Sequence, residues 1–129
     1  MRYVIATHGY LAEGYKSAIG LLSGMDHIHT VNAYVEEQKE VAEELERLLQ
    51  SFDSGERVLV LTDVLGGSVT QAVSGLIGKY PLFLVTGINL GLVMELVQKG
   101  DMLTDEMIEE SIGAAREQMV CVNHVLESC

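Results

Sequence analysis

The chain has 129 residues, a length suited to one domain spanning 1–129, and 48% of them are hydrophobic, which excludes an intrinsically disordered chain. With 19 acidic residues against 8 basic ones the formal net charge is −11, so nucleic acid and anionic lipid surfaces are excluded as partners by repulsion. The two cysteines, Cys121 and Cys129, form no CxxC or Cys/His spacing and read as reduced thiols.

Tyr3-Val4-Ile5-Ala6 opens the chain as a continuously apolar, β-prone run. Such runs belong to parallel strands covered on both faces. Leu11, Ala12, Tyr15, Ala18, Ile19 and Leu22 then recur at helical spacing. Ile28 to Val31 alternates more polar residues and suits an edge strand beside the first. A second helix is marked by Val41, Ala42, Leu45, Leu48, Leu49 and Phe52, with Glu36, Glu37, Glu40, Glu43, Glu44 and Glu46 as a solvated face. Val58-Leu59-Val60-Leu61 is the third strand. A third helix is predicted from about Ser68, as N-cap, to Lys79, with Val69, Ala72, Val73, Leu76 and Ile77 inward. Leu82-Phe83-Leu84-Val85 is the fourth strand; a short helix follows with Leu92, Val93, Leu96 and Val97, then another from about Thr104 through Met107, Ile108, Ile112 and Ala115. The valine-rich tail from Met119 to Leu126 fits a late strand as well as a helix end.

Strands alternating with helices predict an α/β fold: a doubly wound, mainly parallel sheet of order 2-1-3-4 with helices on both faces. In that arrangement each strand-to-helix loop emerges at the carboxyl edge of the sheet, where open α/β folds bind ligands. Those loops are Thr7-His8-Gly9, Thr62 through Ser68, and Thr86 through Leu90.

His8 follows a buried strand and precedes a glycine, which places an imidazole at the rim. Asp63 ends its strand as His8 ends its own, and neighbouring strands lie about 4.8 Å apart. A carboxylate accepting the Nδ1 proton would fix the tautomer and leave Nε2 as a nucleophile. Beside them Gly66-Gly67-Ser68 opens a helix, where turned amides and the helix dipole favour an anion such as phosphate. Thr7 and Thr62, preceding the pair, are supporting residues. The residues themselves leave open that Gly-Gly is only a tight turn and Asp63 only a loop residue. No lysine follows the glycines as a P-loop requires, and no GxSxG elbow is present.

Tyr3-Val4-Ile5-Ala6-Thr7-His8-Gly9, Leu61-Thr62-Asp63-Val64-Leu65-Gly66-Gly67-Ser68 and Thr86-Gly87-Ile88-Asn89-Leu90 together resemble the three signature stretches of mannose-family (mannose, fructose, sorbose) IIA components of the bacterial sugar phosphotransferase system. The resemblance implies that His8 is phosphorylated, that Asp63 is its hydrogen-bond partner, and that Ser68 with the preceding glycine amides contacts the phosphate. It implies a histidine-containing phosphocarrier protein as donor and a IIB component as acceptor, with the membrane transporter reached only indirectly. It also implies no metal and no cofactor, because a phosphohistidine donor is already activated, and a homodimer in which the C-terminal strand is exchanged between chains. The chain departs from the family pattern at Val69 and Gly91, where proline is common. Val69 replaces a helpful but dispensable first-turn proline, and Gly91 is expected to loosen the third loop.

Two other classes stand beside this one: a non-catalytic regulatory or anion-binding module on the same fold, and the phosphotransfer subunit of dihydroxyacetone kinase. His27 and His29 form an HxH without a third ligand nearby, and His124 reads as structural or exposed. With no membrane-spanning segment and no secretory pattern after Arg2, the expected location is cytoplasmic.

Overall fold

The computed structural model describes residues 1–35 and 40–127. Its core is a sheet whose four strands are the three apolar runs and the more polar edge run: β1 (Arg2–His8), β2 (Ile28–Ala33), β3 (Val58–Thr62) and β4 (Leu82–Val85). All pairings are parallel and the order is β2-β1-β3-β4, as the sequence predicts. The register sets Ile5 between Thr30 and Leu61, and Leu61 beside Val85. β1 and β3 are central, and Tyr3 through Thr7 and Val58 through Thr62 are buried without interruption. That is why neither strand alternates polar with apolar residues.

Helices cover both faces. One face carries Val4, Ala6, Val31, Val58 and Val60, packed with Val41, Leu45 and Leu49 of α2 (Val41–Gln50) and Val69 and Val73 of α3 (Ser68–Ser74). Alternation turns Tyr3, Ile5 and Thr7 to the opposite face, where α1 (Leu11–Ser23) lies along β1 and β2 and buries Ala12 and Ile19. Leu11 and Leu22 of the predicted α1 stripe are exposed. In the acidic face expected of the second helix, Glu36 and Glu37 lie outside the described residues, and Glu40 is the N-cap of α2.

Residues 1–90 and 91–129 divide into two compact units. The second holds nearly all of α4 (Leu90–Gln98), a 3-10 turn at Gly100–Met102, α5 (Asp105–Glu117) and α6 (Val122–Glu127). Leu92, Val93, Leu96 and Val97 are buried as their spacing predicts. Thr104 caps α5, its Oγ1 accepting from the amide of Met107 at 3.2 Å.

Three local expectations are corrected. The third helix stops at Ser74, not Lys79: Gly75 follows, and Leu76 and Ile77 donate to carbonyls three residues back, which tightens the chain out of α-helix. Its N-cap is Gly67, so Ser68 is the first helical residue and makes no cap hydrogen bond. Gly91 sits in the first turn of α4 rather than in a loop. The tail, which by sequence fits a late strand as well as a helix end, is the helix α6 in the single chain, where the amides of His124 and Val125 donate to Cys121 O at 3.0 and 3.2 Å.

Candidate active site

His8 is the last residue of β1 and Asp63 the first after β3, and the register Ala6 to Thr62 brings them side by side at the carboxyl edge. Asp63 Oδ2 accepts from the His8 amide at 2.9 Å and lies 3.0 Å from His8 Nδ1. One oxygen thus grips both the backbone and the ring of the same residue. Burial of Asp63 works against its charge, but the hydrogen bonds from the His8 amide and ring outweigh it and hold the carboxyl below its ordinary pKa. The group is therefore a carboxylate at neutral pH and can only accept, so Nδ1 carries the proton. In the neutral ring the lone pair then lies on Nε2, on a side chain that is 43% exposed, against 10% for Asp63. The second oxygen, Oδ1, is buried without a hydrogen-bond partner.

The loop after Asp63 is shaped to the ring. Gly66 takes a φ of 79°, a left-handed turn that favours glycine. A Cβ at Gly67 would come within 3.2 Å of Val64 O and 3.4 Å of His8 Cε1, so a side chain there would press on the imidazole. The amide of Gly67 is committed to Val64 O at 3.1 Å. The expectation that both glycine amides face an anion is corrected to that extent: Gly67 serves by closeness, not by donation. Ser68, freed from capping, turns its Oγ toward His8 Nε2 at 3.5 Å and toward the Tyr34 hydroxyl at 2.5 Å.

The supporting threonines act on the frame. Thr7 is fully buried and its Oγ1 accepts from the Ala12 amide at 2.7 Å, tying the first turn of α1 to the end of β1. Thr62 belongs to a cluster with Thr70 and Thr86. Thr70 donates its single proton to Val64 O at 2.7 Å, so Thr62 and Thr86 must donate to Thr70 Oγ1, at 2.9 and 3.2 Å. Three loops are thereby fastened behind the site. On the α1 side, Tyr15 donates to Ile88 O at 3.3 Å; its burial, and secondarily the charge of Asp63, push its pKa up.

Sequence reasoning placed Thr86 in the third loop without a role and missed Thr70 and Tyr34. The last stacks beside His8 with ring centroids 5.5 Å apart. His29 lies against Phe52 at 4.9 Å, and among the described residues no group of three or more His, Cys, Asp or Glu side chains is placed to hold a metal ion.

A rim histidine oriented by a carboxylate, beside a glycine turn and a serine hydroxyl, is an arrangement that can chemically serve group transfer through an imidazole. A model of the mannose-type enzyme IIA family, described as the fructose IIA component of the phosphotransferase system, matches residues 2–114, and the chain belongs to that family. Its place there is as a component of sugar phosphotransfer. The fold is similar to that of a Klebsiella pneumoniae protein described as a candidate permease of the phosphoenolpyruvate-dependent sugar phosphotransferase system. That match has 29% identity, covers 97% of this chain and 93% of that one, and has a TM-score of 0.89. It is also similar to an enzyme IIA component from Streptococcus agalactiae, at 26% identity over 95% and 98% of the two chains and a TM-score of 0.80. A mannose/sorbose-specific IIA subunit from Enterococcus faecalis shares the fold at 19% identity, over 93% and 92% of the chains, with a TM-score of 0.77. No helix among the described residues is long and apolar enough to cross a membrane.

Proposed function

We propose that the chain accepts a phosphoryl group on His8 Nε2 from the histidine-containing phosphocarrier protein and passes it to a IIB component, in the cytoplasm and as a homodimer. The observation that carries the reading is the double grip of Asp63 Oδ2 on the amide and Nδ1 of His8. It fixes the tautomer in which Nε2 is the nucleophile, and it sets a negative charge against the cationic ring that forms once Nε2 is phosphorylated.

In the transfer, the Nε2 lone pair attacks phosphorus and forms a P–N bond. The donor's P–N bond breaks and its electron pair returns to the donor imidazole. His8 loses no proton, since Nδ1 keeps its own toward Asp63. The onward step is the reverse, with a nucleophile of the IIB component attacking the same phosphorus. Ser68 Oγ is the phosphate contact, while Gly66 and Gly67 supply the turn and the clearance. A donor that already carries an activated phosphoryl group needs no nucleotide and no metal to make it reactive.

Incubation with phosphoenolpyruvate, the first enzyme of the system and its phosphocarrier protein should place an acid-labile, base-stable label on His8. No label in the presence of a competent phosphocarrier would overturn the reading.

A further inference from the structure

Tyr34 is the one residue other than glycine with a left-handed backbone among those described, at φ 66°. A bulky aromatic residue there is uncommon, and such positions gather at functional sites. The turn delivers the ring to His8, with centroids 5.5 Å apart, and the hydroxyl to Ser68 Oγ at 2.5 Å. The residue stays 62% exposed, so burial is not what holds it there.

Resting on the phosphohistidine reading above, we propose that Tyr34 is a positioning residue for phosphoryl transfer: its hydroxyl donates to Ser68 Oγ and so aims the serine's own proton at Nε2 and, after transfer, at a phosphoryl oxygen. The direction follows from counting protons along the chain of groups. Asp63 accepts, so Nδ1 of the neutral ring donates and Nε2 is an acceptor. Ser68 has one proton. Were it given to Tyr34, two lone pairs would face each other across the 3.5 Å between Ser68 Oγ and Nε2. Given to Nε2, it leaves Ser68 Oγ as the acceptor that the tyrosine hydroxyl needs. The unequal lengths fit this division of labour. The short bond pins the serine to Tyr34, and the long contact leaves the Nε2 lone pair uncovered for attack, after which the serine proton turns to a phosphoryl oxygen. No bond to phosphorus involves Tyr34, and no proton leaves it.

The test uses the full chain with phosphoenolpyruvate, the first enzyme and the phosphocarrier protein as the phosphoryl source. Tyr34→Phe keeps the ring and deletes the hydroxyl, and should slow labelling of His8 by about fivefold to tenfold, the worth of one hydrogen bond. In a Ser68→Ala background the same substitution should have no further effect, because the tyrosine acts through the serine. In the unphosphorylated protein, the ¹⁵N resonance of Nε2 should move toward that of a free acceptor in Tyr34→Phe while the amide spectrum away from the site stays in place. A Tyr34→Phe chain labelled at the wild-type rate overturns the proposal, as does an equal slowing with and without Ser68. If the wild-type chain takes no label, the phosphocarrier reading falls and this proposal falls with it; a labelled wild type with an unaffected Tyr34→Phe removes the proposal alone.

Discussion

At the scale of single residues, the site depends on one histidine and the oxygen that holds it. His8→Ala should abolish labelling while stability changes by less than about 1 kcal/mol, because the lost side chain is part-exposed and the amide of residue 8 can still donate to Asp63 Oδ2. Label that persists on another histidine would refute the assignment. Asp63→Asn should slow transfer by about a hundredfold, since the amide supplies no charge to the phosphorylated ring; quench-flow labelling reads this directly. The same substitution has a signature in pH. The native carboxyl of Asp63 has a pKa below its ordinary 3.8, so its contribution to stability is complete above the unfolded-state value and is lost as pH falls toward the native one. The gap in urea midpoint between wild type and Asp63→Asn should therefore narrow from about pH 6 to about pH 3, and a gap that stays constant would show that the carboxylate is not held by His8. The pairing of His8 with Asp63 was legible in the sequence because both residues end continuous apolar runs, and parallel neighbours align their ends. Tyr34 was not legible: a left-handed tyrosine costs on the order of 1 kcal/mol or more and is opposed by every local preference, so only the assembled site reveals it.

At the scale of elements, the threonine cluster behind the site joins the end of β3, the first turn of α3 and the loop after β4. Thr70 is its hub, donating to Val64 O and accepting from Thr62 and Thr86. Thr70→Val keeps the shape but strands two donors, one of them the fully buried Thr62, and should cost about 1 to 3 kcal/mol in urea unfolding. Thr70→Ser should recover most of that loss; if the valine variant is as stable as wild type, the cluster is not a structural tie. Strands and their order could be read from apolar runs, since a strand buried on both faces admits little else. The length of α3 could not. Its apolar spacing runs on to Ile77, yet Gly75 and the back-bonded Ser74, whose Oγ donates to Thr70 O at 2.8 Å, turn the chain sooner. Ile77 is left 53% exposed as a result.

At the scale of the whole molecule, the tail is where the single chain looks least complete. Met119, Val120, Val122, Val125 and Leu126 are all exposed, and α6 buries no residue. A six-residue helix is too short to be stable through its own hydrogen bonds, so packing must come from elsewhere or the helix is readily exchanged for another conformation. The alternation that suggests a strand presupposes an edge to pair with, and the sheet ends in β2 and β4. A second copy of the chain offers such an edge, and pairing would cover the tail's valines at the same time. Light scattering at micromolar concentration should accordingly find a dimer. Deletion of the residues after Gln118 should yield a monomer or a less stable, aggregation-prone protein, because association then contributes to folding stability. A full-length chain that is monomeric, or a truncated chain that remains a stable dimer, would rule out the exchange.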